Sequence, residues 1–585
     1  MPFLPVIFSV LSAISGLTNG SFEEGLNGWE ISSPQYSCKA MHYDGKTVAT
    51  IIVLPTQEVS FPSIYQILDV AEGDILEAHA VARHEDFSQG YGAYMCFEFF
   101  DADSKRMNYS QSPQLLEKDQ WVPVTVRAVA PPGVKSARLL LLMNGFGRAF
   151  FDDVTYINTT AEPLARPEGA ITLTLTDQVM CESFNGFGAE DDGWFYNEEN
   201  ASHDVTPEDY PVREGRIEWM DPDWTRMFFW HRDWCPTGDW KTFTFESDNM
   251  KSHYRTLDLY QRIGSRVNIT GTEWGMPGVY DKPESYVHAV GELFEHLIRH
   301  KGYTCISDWT LTNEPNGAFT MLGYSHDQFT LIHQLMKKEF ERRGLKIRLT
   351  GSDDAQDLRW FAKCVENQNY YDSVDLFSSH SYFPYADRIL AGRFYEDRLN
   401  LLRRKQPEKP FIMGEFGFHD DRSGTHSNPS MECYPYALWT CEVVLEGLNR
   451  GVAGFSIWAL HEVYYPGNVF MNYALWDFKD NNWKPRPVYY AWSNFSRLTE
   501  AGDRVRKVES SHPRLVKAAV VGKTLFFVNS TVWPVRIELA GFNGKEGRIY
   551  TEKTLHGDRE CGEQLRIEGH GFSLPPESFG FLLDQ

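Results

Sequence analysis

Cysteine is scarce in this chain: nine among 585 residues, widely spaced and odd in number. That supply makes neither a disulfide framework nor a zinc pattern, and it reads as small buried hydrophobes. Only Cys235 and Cys433 fall in loop-like sequence. Positive charge is short as well, with 56 Lys and Arg against 80 Asp and Glu and a net charge of −24. A field of that sign disfavours nucleic acid and anionic membrane surfaces. It suits a neutral substrate, although a local arginine cluster could still hold a uronic acid. No apolar run after the first residues is long enough to span a bilayer. Solenoid repeats and low-complexity tracts are lacking too. The glycines of Gly145-Phe-Gly147 have no strand–loop–helix context, so they do not read as a phosphate loop.

What is present is apolar and aromatic. Hydrophobic residues make up 42%, and the 17 Trp, 28 Tyr and 39 Phe exclude a disordered chain. The length suggests about three domains. Residues Phe3 to Leu17 are mostly apolar, and Ala13, Ser15 and Gly16 lie toward the end of the run. That pattern fits an export signal over residues 1–18 and a secreted or cell-surface protein. It lacks the usual Lys or Arg at its start, and a genuine first strand is the alternative.

Three textures follow. Residues 19–158 alternate short β-prone runs with turns, as in Tyr94-Met-Cys-Phe-Glu-Phe-Phe100 and Ala149-Phe-Phe-Asp-Asp-Val-Thr-Tyr156, which predicts an antiparallel β-sandwich. Residues 159–180 read as a linker and approach to the next domain. Over 181–500, strands alternate with helical patterns. Strand starts fall near Phe184, Trp224, Arg266, Ile306, Ile347, Val374, Phe411 and Val452, at intervals of 27 to 42 residues. Eight such units predict a (β/α)8 TIM barrel. Residues 501–585 return to short strands and predict a small C-terminal β domain. The expected fold is therefore multidomain: an α/β barrel flanked by an N-terminal β-sandwich and a terminal β domain.

Two segments carry the chemistry. Trp309-Thr-Leu-Thr-Asn313-Glu314-Pro315 follows the fourth expected strand, and Phe411-Ile-Met-Gly-Glu415 forms the seventh. Loops after the strand ends make the open face of such a barrel, where catalytic groups collect. Two carboxyl groups there can divide labour as nucleophile and proton donor in glycosidic bond cleavage. Asn313 offers an amide to a sugar hydroxyl. Loop aromatics supply binding candidates: Trp194, Phe195, Tyr196, Trp230, Trp234, Trp240 and Trp274, with Trp230 to Trp234 the preferred cleft wall. The acidic run Glu190-Asp-Asp192 after strand one reads either as a sugar contact or as a solvated loop.

These motifs resemble the clan A glycoside hydrolases, retaining (β/α)8 enzymes with catalytic acids on strands four and seven. The likeness spans roughly 180–500 and includes Arg226, His380-Ser-Tyr382 and Trp458. It implies Glu415 as nucleophile and Glu314 as acid/base. It also implies Arg226 near the nucleophile, His380 and Tyr382 lining the catalytic subsite, and Trp458 as its floor. Phe184-Asn-Gly-Phe-Gly188 is similar to family 30, and Arg486-Pro-Val-Tyr-Tyr-Ala-Trp to families 30, 39 and 51. Thr270-Gly-Thr-Glu-Trp274 stands where family 5 has a histidine.

Asn19-Gly-Ser-Phe-Glu23 and Asp152-Asp153 resemble the paired terminal strands of jelly-roll carbohydrate-binding modules, and the likeness implies a structural calcium with Glu23 and Asp153 as ligands. The alternative is a sandwich that only buttresses the barrel. No cofactor is expected for catalysis. The expected activity is retaining hydrolysis of β-glycosidic bonds, with a carbohydrate as partner. A non-catalytic carbohydrate-binding protein on a barrel scaffold and a transglycosylase using the same residues are the alternatives.

Overall fold

The structure is a computed structural model. It describes residues 16–115, 118–160, 164–271, 279, 281–317, 323–419, 426–555 and 561–584. The segment read as an export signal, apart from its last three residues, and Trp274 lie outside the described residues. The chain divides into two compact units: one runs to Pro163 and includes Pro384–Asp387, and the other holds most of the remainder.

The first unit is an eight-stranded antiparallel sheet built around two long strands, Asp74–Phe100 and Ser136–Thr160, which pair along most of their lengths. Alternation dictates this arrangement. In Asp74-Ile-Leu-Glu-Ala-His-Ala-Val-Ala the small and apolar residues point to one side, and Leu76, Ala78, Ala80 and Ala82 are buried. They join Phe97, Leu139, Leu141 and Phe151 in a single core. Register shifts between Glu85 and Gly92 interrupt the pairing of the two long strands.

In the second unit eight strands close into a barrel: β1 Phe187–Asp191, β2 Trp224–Phe229, β3 Arg266–Gly271, β4 Ile306–Thr310, β5 Arg348–Ala355, β6 Leu376–Pro384, β7 Phe411–His419 and β8 Phe455–Ile457. The pairings from β1 through β6, β7 with β8, and β8 back to β1 are parallel. Buried on both faces, these strands read as near-continuous runs of bulky residues, and all six positions of β2 are buried.

The helices between them carry their own boundaries. Ser247 caps Asp248–Ile263 by accepting from the Met250 amide, and Gly264 ends it with φ 80°. Ser325 and Gln328 form a capping box on His326–Arg343, which stops at Gly344. Gly451, with φ 101°, turns the chain into β8, and a side chain there would collide with the Met180 carbonyl.

The terminal strands form a nine-stranded sheet within this same unit. One member comes from far upstream. Ile171–Cys181, inside the stretch expected to be linker, pairs antiparallel with Val505–Ser510 and parallel with Val535–Ala540. Its Ile-Thr-Leu-Thr-Leu-Thr alternation buries Ile171 and Leu173 in the terminal core. None of the nine cysteines forms a disulfide with another. Among the described residues no helix is long and apolar enough to cross a membrane.

Candidate active site

Glu415 lies in β7 with its side chain buried. Arg226 of β2 donates from Nη1 to Glu415 Oε2 at 2.8 Å, and Tyr382 of β6 donates from Oη to Oε1 at 2.6 Å. Burial pushes the Glu415 carboxyl upward, against the pull of His380 and Arg226. Glu314 stands four residues past the end of β4, in a left-handed conformation with φ 49°. Its amide donates to the Asp353 carbonyl at 3.2 Å. The Glu314 carboxylate is partly open and accepts from His380 Nδ1 at 3.2 Å. One ligand atom each of Glu314, His380 and Glu415 lies within 4.8 Å of the others.

Asp353 organises this group, and the sequence reading missed it. At the end of β5 the register shifts between Ser352 and Asp354, and Ser352 and Asp353 both take positive φ, 64° and 54°. This bulge re-aims a side chain, a usual role for bulges near active sites. Asp353 Oδ2 accepts from Arg226 Nη2 at 2.8 Å, while Oδ1 accepts from His380 Nε2 at 3.0 Å and Ser378 Oγ at 2.8 Å. Burial opposes ionisation of Asp353, yet His380 and Arg226 hold its carboxyl well below the usual range. Burial equally opposes charge on His380, but Asp353, then Glu415, push its pKa up to about 10. His380 is thus a buried cation at neutral pH, donating from both ring nitrogens. Arg226 also donates to Asn313 Oδ1 at 2.6 Å, which sets the orientation of that amide.

The acidic run after strand one is not a solvated loop: Glu190, Asp191 and Asp192 are all buried. Burial pushes Glu190 well above the ordinary carboxyl range, against Arg226, and its Oε1 has no hydrogen-bond partner among the described residues. Burial likewise raises Asp192 to about 8, while Tyr465 donates to its Oδ2 at 2.8 Å. Asp191 is different: Arg213, His461 and Tyr260 close around it and keep it ionised despite burial. Polar residues in sequence gave no sign of this network, because its partners lie on distant segments.

The aromatic candidates divide. Trp458, 8% exposed, follows β8 and packs 5.6 Å from Phe228, with its amide donating to the Phe416 carbonyl. Trp230, half-buried, stacks beneath the Arg232 guanidinium and meets Trp194 edge-on. Trp234 corrects the expectation of a cleft wall. The short helix His231–Trp234 turns its ring inward, where it is 2% exposed and packs on Trp240 and Phe243. Trp194, Phe195 and Trp240 are core residues too.

In the first unit, Glu23 is exposed, and Asp153 pairs with Lys46 at 3.2 Å. Neither belongs to a cluster of three ligand side chains among the described residues.

The fold is a closed barrel of eight strands, with the carboxyl groups of Glu314 and Glu415 brought together beside His380. No family model matches the sequence, and no curated protein matches it. Solved structures do match in fold. Family 30 xylanase C from Talaromyces cellulolyticus aligns at TM-score 0.54 and 12% identity, over 71% of this chain and 100% of that one. A monomeric β-xylosidase from Caulobacter crescentus aligns at 0.51 and 13%, over 71% and 99%. An endo-β1,6-glucanase aligns at 0.52 and 14%, over 74% and 97%. Structures of families 30 and 39, both of clan A, are among these matches, and at such low identity the likeness is one of fold.

Proposed function

We propose that this chain is a retaining glycoside hydrolase of clan A that cleaves β-glycosidic bonds by double displacement. One observation carries the reading: Glu314 and Glu415 present carboxylate oxygens within 4.8 Å of each other across the mouth of the barrel. A pair about 5–5.5 Å apart leaves no room for an attacking water, whereas inverting enzymes keep roughly 6.5–9.5 Å.

In this reading Glu415 attacks the anomeric carbon. Arg226 and Tyr382 hold its two oxygens in line, and burial, by raising its basicity, strengthens it as a nucleophile. Glu314, the more open of the two, gives its proton to the departing glycosidic oxygen. Forming the glycosyl ester removes the negative charge of Glu415. His380 then faces Glu314 and Asp353, and its cation supports Glu314 as the base that takes a proton from water. Asn313, held by Arg226, offers its amide to a sugar hydroxyl, and Trp458 forms the subsite floor. Export belongs to the same reading, since one protein of similar fold is described as exported.

Proton NMR of the first products from a β-glycoside tests the stereochemistry. Double displacement gives the β-anomer before mutarotation. A first-formed α-anomer means inversion and removes the reading.

A further inference from the structure

The loop after β8 begins at Trp458 and runs to Arg486, the first residue of Arg486-Pro-Val-Tyr-Tyr-Ala-Trp, a motif that the proposed reaction leaves unused. A long loop costs more entropy to fix than a short one, so its base needs ties. Arg486 supplies them.

Arg486 is 2% exposed and uses every arm of its guanidinium. Nε donates to Glu432 Oε1 at 2.7 Å, and Nη1 donates to the Ala474 carbonyl at 2.6 Å. Nη2 donates to Glu462 Oε1 at 2.5 Å and to Asn472 Oδ1 at 3.0 Å, and it lies 2.8 Å from Asp477 Oδ1. Glu462 and Asp477 are buried as well. Local helix chemistry does not call for this residue. Arg486 is the cap residue before the helix Pro487–Arg497 and makes no side-chain capping bond. A cation there opposes the helix dipole, and Ser, Thr, Asp or Asn is preferred. Its side chain serves the loop instead.

The rest of the path is backbone. The Arg486 amide donates to the Leu475 carbonyl at 2.9 Å, so main chain and side chain together grip Ala474-Leu475. That segment brackets Ala459. The Ala459 amide donates to the Tyr473 carbonyl at 2.8 Å, and the Leu475 amide donates to the Ala459 carbonyl at 3.0 Å. Ala459 directly follows Trp458. Glu462, three residues on, accepts from the Phe478 amide on its other oxygen at 2.5 Å. The guanidinium is thus one short ladder away from the indole.

We infer that Arg486 is a positioning residue for the sugar subsite: by closing the base of this loop it sets the place and tilt of the Trp458 ring. The role of that ring toward a sugar rests on the proposed glycosidase activity. The grip of Arg486 on Trp458 rests on these contacts alone.

The test uses the full chain labelled with 5-fluorotryptophan, with Trp458 assigned by Trp458→Phe. The kinetic probe is the aryl β-glycoside turned over fastest in a panel. Arg486→Lys keeps the charge and loses the planar fork, which one ammonium cannot replace. Its Trp458 fluorine resonance is expected to move. KM should rise about tenfold, the worth of one hydrogen bond to a charged group. Turnover should change far less, as when binding common to ground and transition states is lost. A merely structural role would move resonances beside Arg486, such as that of Trp476, and lower the folded fraction with KM unchanged. Should Arg486→Lys misfold, Glu462→Gln removes one charge from the same cluster, keeps its shape, and is expected to move the Trp458 resonance and raise KM in the same sense. A Trp458 resonance that stays in place in the folded variant overturns the inference, and so does a moved resonance with KM unchanged. Wild-type protein that turns over no aryl β-glycoside removes the glycosidase reading instead, and the fluorine spectra then decide the grip on Trp458 by themselves.

Discussion

Replacing Asp353 by asparagine keeps the side-chain shape and deletes one buried negative charge. That charge bonds two cations at once, Arg226 Nη2 at 2.8 Å and His380 Nε2 at 3.0 Å. In an unfolded chain histidine titrates near 6.5, and in this fold His380 is pushed up to about 10. A group held above its unfolded pKa stabilises the fold fully below 6.5 and loses that contribution as pH rises through about 10. The whole shift corresponds to roughly 5 kcal/mol by linkage. Several carboxylates share that shift, Asp353 first and then Glu415, and removing one partner of a buried ion pair costs about 3–5 kcal/mol. Asp353→Asn is therefore expected to lose about 3–5 kcal/mol near pH 6. The gap to wild type should narrow as pH rises from 6.5 toward 10, where His380 of the wild type is itself about half deprotonated. Urea unfolding followed by tryptophan fluorescence across this range measures it. A gap absent near pH 6, or constant up to pH 10, refutes the claim that Asp353 holds His380 charged.

Two further substitutions probe the carboxylate pair. Glu314→Ala should impair glycosides with poor leaving groups far more than activated aryl glycosides, and azide should restore turnover as a β-glycosyl azide. Equal loss on both, without rescue, counts against the acid/base role. Tyr382→Phe deletes one hydrogen bond to a charged group, worth about 1.5–3 kcal/mol. Its kcat should drop about 10- to 150-fold with the fold intact, and a loss below about threefold would detach Tyr382 from the nucleophile.

The barrel was legible because parallel strands buried on both faces leave compact apolar runs in the sequence. Strands two, three, four and seven begin at Trp224, Arg266, Ile306 and Phe411 as read, and the others lie one to three residues from their expected starts. Those runs also drew attention to Glu314 and Glu415, which stand four residues past the end of β4 and in the middle of β7. Asp353 was not legible. Its position depends on two consecutive left-handed residues inside a strand, and Gly351-Ser-Asp-Asp354 reads equally well as a turn. Ile171–Cys181 showed strand alternation, but its partners lie more than three hundred residues onward, and sequence periodicity says nothing about pairing over such distances. Trp234 shares its loop with Trp230, and only the turn of a four-residue helix decides which ring enters the core.

The central claim is that Glu415 becomes covalently glycosylated. An activated 2-deoxy-2-fluoro β-glycoside, chosen from a panel by which one inactivates the enzyme, should trap that intermediate. Peptide mass spectrometry should then find one sugar on the peptide that contains Glu415 and none on the peptide that contains Glu314. A label on any other carboxylate, with Glu415 unmodified, would contradict the account.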